Sequence, residues 1–305
     1  MKTGSYDSLT LPDRLIAEIG SRPRTIIYAA TIAAALIAWI WLIIVSGGAL
    51  SLSSAQSLGP GTEFLTPLLN KLTLWADGSP FLGALIRFCS PQLAAFSWTG
   101  FLATFLMWCA MSIAMMLPSA APMLRTYGDI AHVAREKGET TVPLAILALG
   151  YLFLWGVFAL VAAAFQTLLI TVGLVSDAVS PTLGTLSGLI LLGAGAYQFS
   201  GLKDACLEKC RNPFNTLFAQ WRTDYPGVFK LGMQQGAFCV GCCWALMLVM
   251  LVVGTMNLAW MAFLTLFAIV EKSAASKVTS QISGGILIVW GGILLAFVAL
   301  GYVSG

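Results

Sequence analysis

Charge is scarce in this 305-residue chain: Asp, Glu, Lys and Arg together make up 10% of it, against about a quarter in a soluble domain. Hydrophobic residues reach 58%. That balance excludes a soluble enzyme, a disordered chain and a nucleic-acid binder. The net charge is only +3 and no basic block exists, so positive charge has to be read by position. Histidine is almost absent. The single His132, in a charged segment (129–139) expected to be a loop, cannot hold a haem or a histidine-rich metal centre. Seven cysteines in a chain of this length do not make a small disulfide-stapled domain. No nucleophile–base pair, phosphate loop or dinucleotide motif stands out, so the reading is of a non-enzyme.

What the chain does have is long uncharged runs. A bilayer core needs roughly 20 apolar residues per helix. The runs predict an all-α, polytopic transmembrane helix bundle of about seven spans, near 26–46, 95–117, 143–166, 183–200, 236–254, 256–270 and 282–302. The fifth and sixth share one uncharged run, divided at Gly254-Thr255-Met256-Asn257, where the turn chemistry favours a break. With the N-terminus in the cytosol, 14 of the 16 Lys and Arg fall on the cytosolic side, leaving Lys71 and Arg87 outside. Merging spans five and six would worsen that asymmetry, so the C-terminus is expected outside.

The first span follows about 25 mostly polar residues, lacks an A-x-A cleavage site and is too long for a signal-peptide core, so it reads as a retained anchor. Between spans one and two, Phe64, Leu65, Leu68, Leu69, Leu72 and Trp75 recur at helical spacing. That pattern fits a helix lying on the membrane surface or a cap over the bundle. The chain thus divides into 1–94 (tail, first anchor, outer amphipathic segment) and 95–305, a six-helix membrane core. Gly184 and Gly188, and Gly284/Gly285 with Gly291/Gly292, mark expected close helix seams.

Sulfur is concentrated. Five cysteines lie between 206 and 243, as Cys206-x3-Cys210 and Cys239-x2-Cys242-Cys243, and five of the eleven methionines, Met107, Met111, Met115, Met116 and Met123, fall between 107 and 123. By the topology above, these stretches meet near the cytosolic leaflet. Thiolate and thioether ligands select soft metals, Cu(I) above all, with zinc a competitor at Cys-only sites. A C-x3-C on a helix sets two thiols on one face. Lys203, Lys209 and Arg211 flank the first pair and are expected to lower its thiol pKa. A reducing cytosol would keep these thiols free. Methionines on an apolar helix are often core filler, Cys109 reads as a small hydrophobe, and Cys89 has no partner in sequence. Glu271-Lys272 sits where span six meets the cytosol. Glu271 has two readings, a residue supporting the site or ion entry and a side chain reaching to water.

Met107-Trp108-x-x-Met111-x-x-Ala114-Met115-Met116-x-Pro118, Lys203-x-x-Cys206-Leu207-x-x-Cys210-Arg211-x-Pro213, Gly236-x-x-Cys239-x-Gly241-Cys242-Cys243-Trp244-x-x-Met247 and Glu271-Lys272 occur in this order. Together they resemble the signature of a bacterial family of predicted metal-binding integral membrane proteins, over roughly residues 95–300. Phe199-Ser200-Gly201-Leu202 departs from a more Pro/Thr-rich run in that family. The resemblance implies a bacterial inner-membrane location and a metal site at the motif residues, with no metal identity attached.

The leading functional expectation is Cu(I) handling, by transport or delivery to a metallochaperone or membrane-complex partner. Cys206, Cys210, Cys239, Cys242, Cys243, Met107, Met111, Met115 and Met116 would be ligands. Met247, Met250, Glu271, Lys203 and Arg211 would support the site or line a path. Two alternatives stay open: a membrane thiol–disulfide oxidoreductase, and an accessory subunit whose cysteines hold a structural zinc.

Overall fold

The computed structural model describes residues 23–52, 97–172, 181–255, 257–274 and 276–301, together with Lys71. The N-terminal tail, Cys89 and, apart from Lys71, the amphipathic stretch from Phe64 to Trp75 lie outside the described residues. Within them there are nine helices and no strand: α1 (Pro23–Leu52), α2 (Trp98–Glu136), α3 (Leu144–Thr171), α4 (Pro181–Tyr197), α5 (Gly201–Arg211), α6 (Pro213–Ala219), α7 (Tyr225–Val253), α8 (Leu258–Ser273) and α9 (Val278–Ala299). Five of these, α1, α2, α3, α7 and α9, are long and apolar enough to cross a membrane. The 17-residue α4 and 16-residue α8 are shorter than the roughly 20 residues of a full span.

Two helix boundaries differ from the sequence expectation, each for a local reason. The second span was expected to stop at 117, before Pro118. Instead α2 runs 39 residues, through Pro118 and Pro122, to Glu136. A proline removes one backbone donor and should break an isolated helix. Pro118 leaves the Ala114 carbonyl without its usual partner, and the Trp39 indole of α1 donates to that oxygen at 3.2 Å. The gap is thus filled by a neighbouring helix, the usual remedy where water is absent. The expected loop at 129–139 is consequently mostly helical, and His132 stands one turn from Glu136, at 3.6 Å. The other shift is at α7, which begins at Tyr225, eleven residues before the expected span, because the Asp224 carboxylate caps it by accepting from Gly227 N at 2.8 Å.

The break expected at Gly254–Asn257 is present. Gly254 ends α7 with φ +99°, a conformation that favours glycine. The Asn257 side chain then caps α8 by accepting from Trp260 N at 3.1 Å.

Packing is pairwise around a shared interior: α1 lies along α2, α3 along α7 and α4 along α9, while α2 also packs on α3 and α8. Small residues permit two of these seams. Gly188 with Gly291, and Gly195 with Gly284, let α4 and α9 touch backbone to backbone, whereas Gly285 and Gly292 face open space. The tightest approach involves glycines that the sequence did not single out. A Cβ added at Gly150 would collide with the Phe229 carbonyl, and one at Gly232 with the Leu147 carbonyl, so α3 and α7 meet at van der Waals contact of their main chains. Gly232→Ala should therefore lower stability by about 1–3 kcal/mol, the usual cost of overpacking. Gly292→Ala should be neutral or slightly stabilising. Thermal unfolding of the two variants in detergent checks this.

Candidate metal centre

The Cys239-x2-Cys242-Cys243 motif lies at the middle of α7, and all three residues are buried. Helical spacing alone keeps Cys242 close to Cys239, and the Cys242 thiol donates to the Cys239 carbonyl at 3.2 Å. The second motif arrives on α5, an 11-residue helix whose N-terminus is capped by Ser200, which accepts from Lys203 N at 3.1 Å. Packing α5 against α7 sets Cys210 Sγ 3.9 Å from Cys242 Sγ, and Cys242 Sγ lies 3.3 Å from Cys243 Sγ. Cys210 and Cys239 line one small cavity. Cys206 does not join them in this way. It rests against Gly241, where an added Cβ would stand 2.6 Å from its sulfur.

A cavity of about 20 Å³ opens beside these thiols, lined by Cys210, Cys239, Ser119, Met123, Tyr151, Gln235 and Lys272 among others. That is room for a single water-sized occupant. Lys272, on α8, donates to Cys239 Sγ at 3.0 Å and to Ser119 Oγ at 2.6 Å. Tyr151 on α3 brings its hydroxyl to Cys239 Sγ at 3.1 Å and donates to the Met116 carbonyl at 3.2 Å. Gln235 is 3% exposed and its Nε2 has no hydrogen-bond partner. Four helices, α2, α3, α7 and α8, thus meet α5 around one polar point in an apolar interior.

The flanking charges do something other than expected. Lys203 is fully buried and pairs with the Glu271 carboxylate at 2.6 Å; it also donates to Gln198. Ser280 of α9 donates to the same Glu271 oxygen at 2.7 Å. Arg211 donates to the Glu271 carbonyl at 2.8 Å and to the Ser276 carbonyl at 3.1 Å. On the surface, Lys277 pairs with Asp204 at 2.6 Å. These contacts fasten α5 to α8 and α9. They leave Lys203 and Arg211 with other partners, and the expected depression of the α5 thiol pKa does not follow. Burial pushes the Cys206 thiol above its ordinary value, and Cys210 is raised chiefly by its hydrogen bond with Cys239.

Met107, Met111, Met115 and Met116 are all buried in α2, as are Met247 and Met250 in α7. The methionine that lines the cavity is Met123, two turns beyond the stripe. Trp108 also has a structural partner, donating from its indole to Gln166 of α3 at 2.8 Å. The residue that sequence reasoning passed over is Lys272. A signal was available: adjacent helix positions point about 100° apart, so Glu271 and Lys272 cannot neutralise each other, and each must find its own partner.

Residues 105–294 match the family described as PpoB2, copper chaperone. The chain belongs to the PpoB2 copper chaperone family. No curated protein and no solved structure shows a match. Membership supports a copper-related function, and the donor set can be tested against that ion. Two sulfurs each about 2.3 Å from one metal stand roughly 3.8–4.6 Å apart between tetrahedral and collinear arrangements. The Cys210–Cys242 separation of 3.9 Å lies in that interval. Among the described residues no group of three or more His, Cys, Asp or Glu is arranged to hold a metal ion. A sulfur pair such as Cys210–Cys242 suits Cu(I), whereas tetrahedral zinc sites take four ligands.

The Lys203–Glu271 pair gives this PpoB2 member a testable energetic signature. Breaking a buried pair on one side strands the other charge at a cost of about 3–5 kcal/mol. Glu271→Leu alone should therefore be severely destabilising, while Lys203→Met/Glu271→Leu should recover most of the loss. A double-mutant cycle on detergent-solubilised protein measures it.

Proposed function

We propose that this chain is an integral membrane Cu(I) chaperone of the bacterial inner membrane, with seven spans, a cytosolic N-terminus and an outside C-terminus. In this reading α4 and α8 complete the count of seven, and the position of Lys and Arg along the sequence supports the orientation. The thiol cluster then lies near the cytosolic leaflet, where a reducing compartment keeps it available to metal.

Cu(I) is the cargo. Cys210 and Cys239 hold it in the small cavity, Cys242 stands beside Cys210 as an exchange partner, and Met123 offers a thioether from the facing wall. Loading replaces thiol protons by metal, and release reverses this as a partner's sulfur ligands displace the protein's one at a time. The convergence of Cys210 on one helix with Cys239 and Cys242 on another is the observation that carries the reading. The buried methionines Met107, Met111, Met247 and Met250 extend soft sulfur toward the opposite leaflet. A metallochaperone or membrane complex is the natural recipient.

Competition with a Cu(I) chelator under anaerobic conditions provides the test. Cys210→Ser and Cys239→Ser should each weaken Cu(I) binding by more than the roughly 10–100-fold typical of losing an outer partner of a metal ligand. Cys109→Ser, on α2 and away from the cavity, should leave it unchanged. Unchanged affinity in both Cys210→Ser and Cys239→Ser would sink the proposal.

A further inference from the structure

Lys272 is an unusual neighbour for a cation site. Its ammonium reaches Cys239 Sγ and Ser119 Oγ, and the adjacent carboxylate, Glu271, is turned away to Lys203 and Ser280. A fixed positive charge beside sulfur ligands would ordinarily repel any metal ion, so its presence in the cavity wall calls for a charge count.

The count is simple. Burying net charge in an apolar interior is costly, so an assembly that sums to zero is favoured over one that does not. Two thiolates, one monovalent ion and the Lys272 ammonium sum to zero. Two thiolates, one divalent ion and the same ammonium leave one positive charge, and a divalent ion also meets twice the repulsion from Nζ. A third thiolate would restore neutrality for a divalent ion, but Cys242 and Cys243 are not among the residues lining the cavity, and among the described residues no group of three such ligands is arranged to hold a metal ion. Gln235 lines the same cavity, and its unpartnered Nε2 is a donor suited to thiolate sulfur.

We infer that Lys272 is the residue that sets ion selectivity at this centre: its buried positive charge beside Cys239 admits a monovalent soft ion and penalises a divalent one. The inference rests on the Cu(I)-binding reading and goes further, because it assigns the discrimination between Cu(I) and zinc to a residue that binds neither. Ligand softness alone discriminates poorly, since thiolates take zinc readily. Charge supplies what softness does not. Lys272 is a positioning and selectivity residue, acting on the ion through space and on Cys239 through its hydrogen bond.

The experiment measures Ag(I), a redox-stable monovalent probe, and Zn(II) on the same full-length protein in detergent, each by competition with a chelator of known affinity. The readout is the ratio of the two affinities, which a merely structural role would not move in a charge-dependent way. Lys272→Met, which keeps length and removes charge, should lower the Ag(I)-to-Zn(II) ratio by at least about tenfold, mainly by improving zinc. Lys272→Arg should keep the wild-type ratio. If Lys272→Met does not fold, Lys272→Gln carries the same expectation. A ratio unchanged in the neutral variant, with Ag(I) binding still lost in Cys239→Ser, overturns the selectivity role and leaves the chaperone reading intact. Ag(I) binding that is absent from the wild type, or indifferent to Cys239→Ser, overturns both.

Discussion

The constraint on which most of this structure depends is that charge inside an apolar bundle must find a partner within the protein. Glu271 and Lys272 carry opposite charges at neighbouring positions of α8 and point in different directions. Glu271 reaches Lys203 on α5 and Ser280 on α9; Lys272 reaches Cys239 on α7 and Ser119 on α2. One dipeptide therefore ties five helices together by electrostatics that hydrocarbon would otherwise forbid. The position of α5, and with it of Cys210, follows from this, since α5 has little apolar surface of its own to hold it in place. Its sequence, Gly-Leu-Lys-Asp-Ala-Cys-Leu-Glu-Lys-Cys-Arg, has five charged residues in eleven.

Seen from that constraint, the thiol cluster is a consequence of where the charges go. Cys239 stays one helix step from Cys242 whatever surrounds it, but only a fastened α5 brings Cys210 within 3.9 Å of Cys242. Charges and thiols are thus organised by one network, with Glu271 holding the helix that carries Cys210 and Lys272 touching Cys239 directly.

Much of the architecture was legible in the sequence because apolar run length, turn chemistry and cysteine spacing are local properties. The helix break at Gly254–Asn257 and the α4/α9 glycine seam belong to that class. What escaped depends on contacts distant in sequence. Pro118 reads as a helix end until Trp39 supplies the donor that the proline removed. Gly150 and Gly232 look like ordinary glycines until α3 and α7 are laid together. Lys203 and Arg211 look like activators of neighbouring thiols until the Glu271 carboxylate and main chain claim them. Cys206 shares a motif with Cys210 but stands against Gly241, because a C-x3-C fixes a common face without fixing what each sulfur meets.

The bond from Trp39 to Ala114 has a bearing on how the molecule is put together. A carbonyl released by a proline and facing lipid has no water to turn to, and leaving it bare costs several kcal/mol. Here the donor that satisfies it is carried by α1, the helix that reads from sequence as a simple anchor. That helix, itself long and apolar enough to cross a membrane, therefore completes the backbone hydrogen bonding of its neighbour. A shortened chain starting at α2 would keep every motif residue and still expose an unsatisfied carbonyl at the proline-containing turn that leads into Met116 and Ser119. α1 also precedes α2 in the chain, so the partner for that carbonyl is made before the proline-bearing helix that needs it.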